Sequence, residues 1–215
     1  MRESGAEKVI FPNPEFANLA SEDQVLRAMK ALEGNNITTY LAENGHEARK
    51  KVLELLPMGA EVFTSTSKTL EAIGIVDDVN NSGHYVSLRA KISELDRKTQ
   101  ANRIRLIASS PDYVIGSVHA VTEHGEVLLA SASGSQLALC SSGAGTLILV
   151  VGTQKIVRDV DEGFRRIKEY SFPLEDARMQ SAHKLSSEIN KILIVNREGK
   201  PGRTSLIFVK ERLGF

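Results

Sequence analysis

Three short stretches of this 215-residue chain carry side chains that can hold a small anion. In "TSTSKT", Ser65, Thr66, Ser67 and Thr69 offer hydroxyls and Lys68 offers charge. After a strand and at a helix start, such a loop turns N–H groups and hydroxyls toward a phosphate or carboxylate. The plain alternative is helix capping, which uses the same residue types. In "SASGSQ", Ser131 to Gln136, Gly134 permits close backbone approach while Ser135 and Gln136 can bond a ligand; a serine cap is again the alternative. Lys155, in "GTQKIV", follows an apolar run that reads as a buried strand. That places it near the same sheet edge as the two loops, suited to binding an anion.

Other reactive residue types carry less. His119 and Glu123 are four apart and would face each other only on a helix, and the segment reads as extended. His46, His84 and His183 stand alone, with no spacing of the H-E-x-x-H kind, so no metal site is expected. Cys140 sits in the apolar "LALC" with no apparent cation to activate it, so a buried, inert thiol is expected. Arg158 and the pair Arg165–Arg166 read as solvated helix charges. A single cysteine excludes an intrachain disulfide and any multi-cysteine zinc or iron–sulfur site within the chain. Lys plus Arg and Asp plus Glu each number 27, and there is no Trp, which argues against a nucleic-acid footprint. The N-terminal "MRESGAEKVIFPNPEF" has no apolar core of a secretory signal, and "LILVV" is far too short to span a bilayer. A cytoplasmic protein with no membrane partner is expected.

The elements that must position these residues alternate along the chain. Residues 1–20 read as an irregular lead-in and 21–215 as one α/β domain. "SEDQVLRAMKALEGN" opens with a Ser21/Gln24 capping box, and Val25, Ala28, Met29 and Leu32 share a helical face. "ITTYL" and "AEVFTS" read as strands. Between them Asn44 caps a helix that Pro57 ends. "DDVNNSGH" reads as a turn, and a long helix is expected over Ser93–Ser109. "DYVIGSV" and "EVLLA" are apolar runs, and "TLILVV", with no polar alternation, reads as a strand buried on both faces of a parallel sheet. Two helices follow, in "RDVDEGFRRIKEY" and from Pro173 onward. "KILIV" and "TSLIFV" around "NREGKPGR" look like a C-terminal antiparallel hairpin. The alternation predicts an α/β fold with a mainly parallel sheet, whose ligand sites lie beyond the carboxyl ends of strands.

The order of these segments, from about Phe11 to Phe215, resembles the LUD-domain family of lactate utilisation proteins, the LutC and YkgG group. The resemblance rests on "VFTSTSKTLEAIG", with Ser67, Thr69, Leu70, Glu71, Ile73 and Gly74 in the pattern S-x-T-L-x-x-I-G. It rests also on "DYVIGSVHAVTEHGEVLLASASGSQLAL", "VVGTQKIVRDVDEGFRRI" and the closing "LIFVKERLGF". It implies a three-layer α/β fold of the NagB/RpiA/CoA-transferase-like type and a role in oxidising L-lactate to pyruvate beside iron–sulfur partner subunits. A small anionic ligand is the expected small-molecule partner, and a homodimer is compatible with the reading. Many members have glycines where this chain has Thr64, Ser65 and Thr66, so hydroxyls stand in for bare backbone. Some carry a late cysteine cluster where this chain has "SAHKLSSEIN", so any iron–sulfur cluster belongs to a partner. The turn "TEHG" resembles the Glu-Asn-Gly turn that bears the nucleophilic glutamate of family I CoA-transferases. That resemblance makes Glu123 a candidate acyl-accepting nucleophile, with Gly125 beside the ligand; a solvated hairpin turn is the alternative. The second functional reading is accordingly a stand-alone enzyme acting on a CoA thioester, sugar phosphate or folate.

Overall fold

The computed structural model describes residues 11–215. The first half of the expected lead-in lies outside the described residues. Its second half holds a 3-10 turn, Pro14–Ala17, capped by the Asn13 side chain, with Phe16 buried.

The helices are α1 (Glu22–Gly34), α2 (Gly45–Leu55), α3 (Lys68–Ala72), α4 (Ile75–Asn81), α5 (Leu88–Ser93), α6 (Ala101–Ile107), α7 (Ser135–Ala138), α8 (Val160–Arg166) and α9 (Phe172–His183). The strands are β1 (Thr38–Ala42), β2 (Glu61–Thr64), β3 (Val86–Ser87), β4 (Tyr113–Gly116), β5 (Ala120–Thr122), β6 (Val127–Ser131), β7 (Thr146–Gly152), β8 (Ile156–Val157), β9 (Lys191–Val195) and β10 (Thr204–Val209). The Ser21/Gln24 capping box starts α1, and Asn44 caps α2, as the sequence predicts.

A six-stranded sheet runs in the order β1-β10-β7-β4-β2-β3, and all its pairings are parallel. Both faces are covered, and successive residues of β7 show why its sequence has no polar alternation. Leu147, Leu149 and Val151 pack with Val25, Ala28 and Leu32 of α1 on one side. Ile148 and Val150 pack with α2, α3 and α4 on the other. The result is a three-layer α/β arrangement. A second, four-stranded sheet has the order β8-β5-β6-β9. It grows directly out of the first: β4 continues through Ser117–His119 into β5, and β7 through Thr153–Lys155 into β8. The parallel pair β4–β7 is thus followed by the parallel pair β5–β8. A third cluster, with Ala120, Leu128, Val157, Ile167 and Tyr170, backs this sheet.

Three expectations need correction. The last two strands form no hairpin: β9 pairs antiparallel with β6, and β10 enters the parallel sheet between β1 and β7. Burial is the reason. Leu206, Ile207, Phe208 and Val209 are all fully buried and need neighbours on both faces, whereas Ile192–Val195 are half-buried and suit an edge. "DDVNN" is helical, not a turn: Asp77 and Asp78 sit in the favourable first turn of α4, and Ile75 and Val79 bury one face. The expected long helix over Ser93–Ser109 is two short ones, α5 and α6. Between them the Asp96 carboxylate accepts the Lys98 N–H at 2.7 Å, a local turn that competes with the helix.

Candidate functional site

A cleft of about 570 Å³ opens where the carboxyl ends of β2, β4 and β7 meet the second sheet. Its lining includes Ser65, Thr66, Ser67, Lys68, Thr69, Ser135, Gln136 and Lys155, which brings eight of the sequence-predicted site residues to one place. Most of their polar atoms already have protein partners. Ser67 caps α3, its Oγ accepting the Leu70 N–H at 3.5 Å. Lys68 pairs with Glu71 at 2.5 Å. Thr66 Oγ1 accepts from Arg89, which also donates to the Thr64 carbonyl. Gln136 Nε2 donates to the Ser117 carbonyl at 3.1 Å. The helix following the hydroxyl loop has only five residues, too short for a strong dipole.

Lys155 is the deepest of these groups. It is 2 % exposed, and its ammonium nitrogen lies 3.2 Å from Thr69 Oγ1, 3.1 Å from Ser117 Oγ and 3.0 Å from the Val118 carbonyl oxygen. These partners are neutral. Burial, with the nearby Arg166 guanidinium adding to it, holds the amine well below the usual lysine range.

Arg166 departs from the expected solvated helix charge. It is fully buried behind the cleft floor, not solvated. Its Nε donates to the Gln154 carbonyl at 3.2 Å, and its Nη1 donates to the His119 carbonyl and, at 3.0 Å, to Ser171 Oγ. It therefore ties the β4–β5 crossing to the β7–β8 crossing, one residue from Lys155. One nitrogen, Nη2, has no hydrogen-bond partner among the described residues, and the guanidinium carbon stands 5.1 Å from the Tyr170 ring centroid. Burial lowers its pKa to about 10, so it stays charged at neutral pH. The signal was present in "GFRR": Gly163 lies against Leu128, where a Cβ would come within 2.7 Å of its Cδ2, so this face of α8 is pressed onto the second sheet. Arg166, one turn on, shares that face.

His119 also lines the cleft. Its Nδ1 accepts the Ala130 N–H at 3.1 Å, so the neutral ring carries its proton on Nε2. Burial, then the basic groups Lys155 and Arg166, push its pKa down to about 3. The expected lack of a His119–Glu123 pair agrees with the extended backbone here.

Glu123 and Gly125 lie apart from this lining, while Gly134 sits between two of its residues, Ser133 and Ser135, without lining the cleft itself. Glu123 accepts from Arg27 Nε at 2.6 Å and from Gln24 Nε2 at 2.9 Å, both on α1. Burial works against its ionised form, but the bonds from Arg27 and Gln24 prevail and hold its carboxyl below the usual range. Gly125 turns at φ +91° against α1, where a Cβ would sit 2.8 Å from the Ala31 carbonyl carbon. Gly134, at φ +88°, faces the Lys191 side chain. The "TEHG" turn is thus a packing corner, and its carboxylate is already engaged. Cys140 is buried, which pushes its thiol up to about 12. No group of three or more His, Cys, Asp or Glu suited to a metal ion occurs among the described residues, and none of their helices is long and apolar enough to cross a membrane.

A crystal structure of a DUF162 family protein from Deinococcus radiodurans is similar to this chain with a TM-score of 0.58. The match has 12 % identity and covers 89 % of this chain and 99 % of that one, a likeness of fold. No curated protein matches the sequence. The profile of the LUD domain matches residues 25–209, a span that holds both sheets and the cleft residues from Ser65 to Lys155. On that match, the chain belongs to the LUD-domain family.

Proposed function

We propose that this chain is a cytoplasmic component of L-lactate utilisation that binds a small anion in the cleft at the strand ends and works beside iron–sulfur subunits. The observation that carries the anion is the cleft floor. A buried guanidinium, Arg166, has only neutral partners among the described residues, and no carboxylate among them pairs with the donors above it, Lys155 and His119 Nε2–H. Such an interior is positive and rich in donors, which favours an anionic ligand. The lactate role comes from family membership. Redox chemistry belongs to a partner in this reading, because the one cysteine is buried and cannot hold a cluster by itself.

Calorimetry and thermal denaturation with L-lactate and pyruvate test the ligand. Saturable binding is expected, with stabilisation of about 2.7 kcal/mol at a hundred times the dissociation constant. Co-purification from lactate-grown cells tests the partners. A chain that binds neither acid, purifies without iron–sulfur subunits and can be deleted without loss of growth on lactate does not have this function.

Cleft size favours a second reading. At about 570 Å³ the cleft exceeds what a three-carbon acid fills and matches larger ligands. A stand-alone enzyme for a CoA thioester, a sugar phosphate or a folate would use it more fully. Tighter binding of one of those compounds than of lactate or pyruvate selects that reading, which then runs without Glu123.

A further inference from the structure

We propose that Lys155 is a nucleophilic amine that condenses reversibly with a small anionic carbonyl compound, a 2-oxo acid being the simplest, to form a Schiff base in the cleft. The proposal rests on the anion-binding reading above and adds a covalent step to it.

The surroundings of the amine carry the argument: a buried nitrogen at the cleft wall, with only neutral partners and the Arg166 guanidinium nearby. Thr69 Oγ1 spends its hydrogen on the Leu213 carbonyl at 3.1 Å, so toward Lys155 it can only accept. The Val118 carbonyl can only accept. Two N–H bonds of Lys155 are thereby assigned. The third direction meets Ser117 Oγ at 3.1 Å, whose hydroxyl also stands 3.3 Å from Thr69 Oγ1 and can donate there or toward the amine. A neutral amine satisfies every partner once Ser117 turns its hydrogen from Thr69 Oγ1 to the lone pair: two N–H groups donate, and the lone pair accepts. No carboxylate of the described residues pairs with Lys155 to favour the ammonium, while Arg166 lies behind it and burial penalises a second charge. Lys155 and Ser117 both line the cleft, so the lone pair and its hydroxyl partner sit where a carbonyl carbon can arrive. His119 Nε2–H lines the same cleft and can donate to an oxygen of the bound acid.

The step balances without any oxidant. The nitrogen lone pair attacks the carbonyl carbon, and the C=O π pair moves to oxygen, which takes a proton. Ser117 relays that proton from the attacking nitrogen. The carbinolamine hydroxyl then leaves as water as the second nitrogen hydrogen is lost, so both amine hydrogens and the carbonyl oxygen depart together as one water. Ser117 is a positioning and relay residue in this step.

Reductive trapping tests it on the intact protein. Pyruvate or glyoxylate is added with cyanoborohydride near neutral pH, where exposed lysines are almost wholly protonated, and the adduct is located by peptide mass mapping. The expected adduct concentrates on Lys155 and is absent from Lys155→Met. L-lactate, which has no carbonyl to condense, slows trapping by competition. Ser117→Ala slows it on the order of a hundredfold, and Ser117→Thr restores it. The wild-type map decides the matter even where a variant does not fold. Adducts spread over surface lysines, or none at Lys155 while calorimetry shows the same acid bound, overturn the Schiff base and leave anion binding standing. Absence of any anion binding removes both.

Discussion

Lys155 and Arg166 show what burial does to a charge within one site. Unfolded, the lysine amine is protonated up to about pH 10.4. Folded, it holds its proton only to a much lower pH, because burial and Arg166 oppose the charge. Between those two values the unfolded chain binds the extra proton, so stability rises with pH, by up to about 1.4 kcal/mol per unit. Urea unfolding at a series of pH values from neutral upward is expected to show that rise in the wild type and a flatter profile in Lys155→Met. His119 works in the same direction at lower pH. Its folded pKa of about 3 lies beneath the unfolded value, so stability is lost as pH falls from about 6.5 toward 3. The His119→Gln variant is expected to flatten this acid limb. Arg166→Met leaves the Gln154 and His119 carbonyls without their donor, and a loss of about 3 kcal/mol in chemical denaturation is expected. Arg166→Lys should not restore it, since one ammonium cannot reproduce the guanidinium fork. Glu123→Ala, by contrast, should leave ligand-induced thermal shifts unchanged, because its carboxylate is spent on Arg27 and Gln24.

At the scale of elements, local signals were legible wherever a short stretch contains its own reason. The capping box of α1, the Asn44 cap and the two-faced burial of β7 each depend on residues close together in the chain. The hydroxyl loop after β2 was legible for the same reason. What the chain did not display locally was which strand each run would join. "KILIV" and "TSLIFV" are neighbours in sequence, yet they serve different sheets, because pairing is decided by how many faces must be covered. The same holds for the "TEHG" turn, whose residues suit a site and a packing corner equally; only the approach of α1 decides. Gly125→Ala should therefore destabilise the protein by about 2 kcal/mol or more, through a positive φ and the contact with Ala31, without abolishing ligand binding. Native Cys140, on its turn after α7, should resist thiol reagents until the protein unfolds, since its thiol is buried and pushed up to about 12.

Across the whole molecule, the cleft exists because two sheets share their strands' paths. The β4–β5 and β7–β8 crossings bring Ser117, His119 and Lys155 together, and Thr69 arrives from α3, after the loop that follows β2. Arg166 reaches the same crossings from the end of α8, which packs on the second sheet. The sequence by itself determined the alternation of helices and strands, the parallel central sheet, the loops that would gather at its carboxyl edge and the membership of Lys155 among them. These follow from periodicity, β-branched runs and caps, all read within a few residues. Only the tertiary structure decided that Glu123 is tied to α1, that Arg166 is buried, and that Lys155 meets two hydroxyls and a carbonyl instead of a carboxylate. Protonation and reactivity depend on desolvation and on partners dozens of residues away, and a linear pattern contains neither.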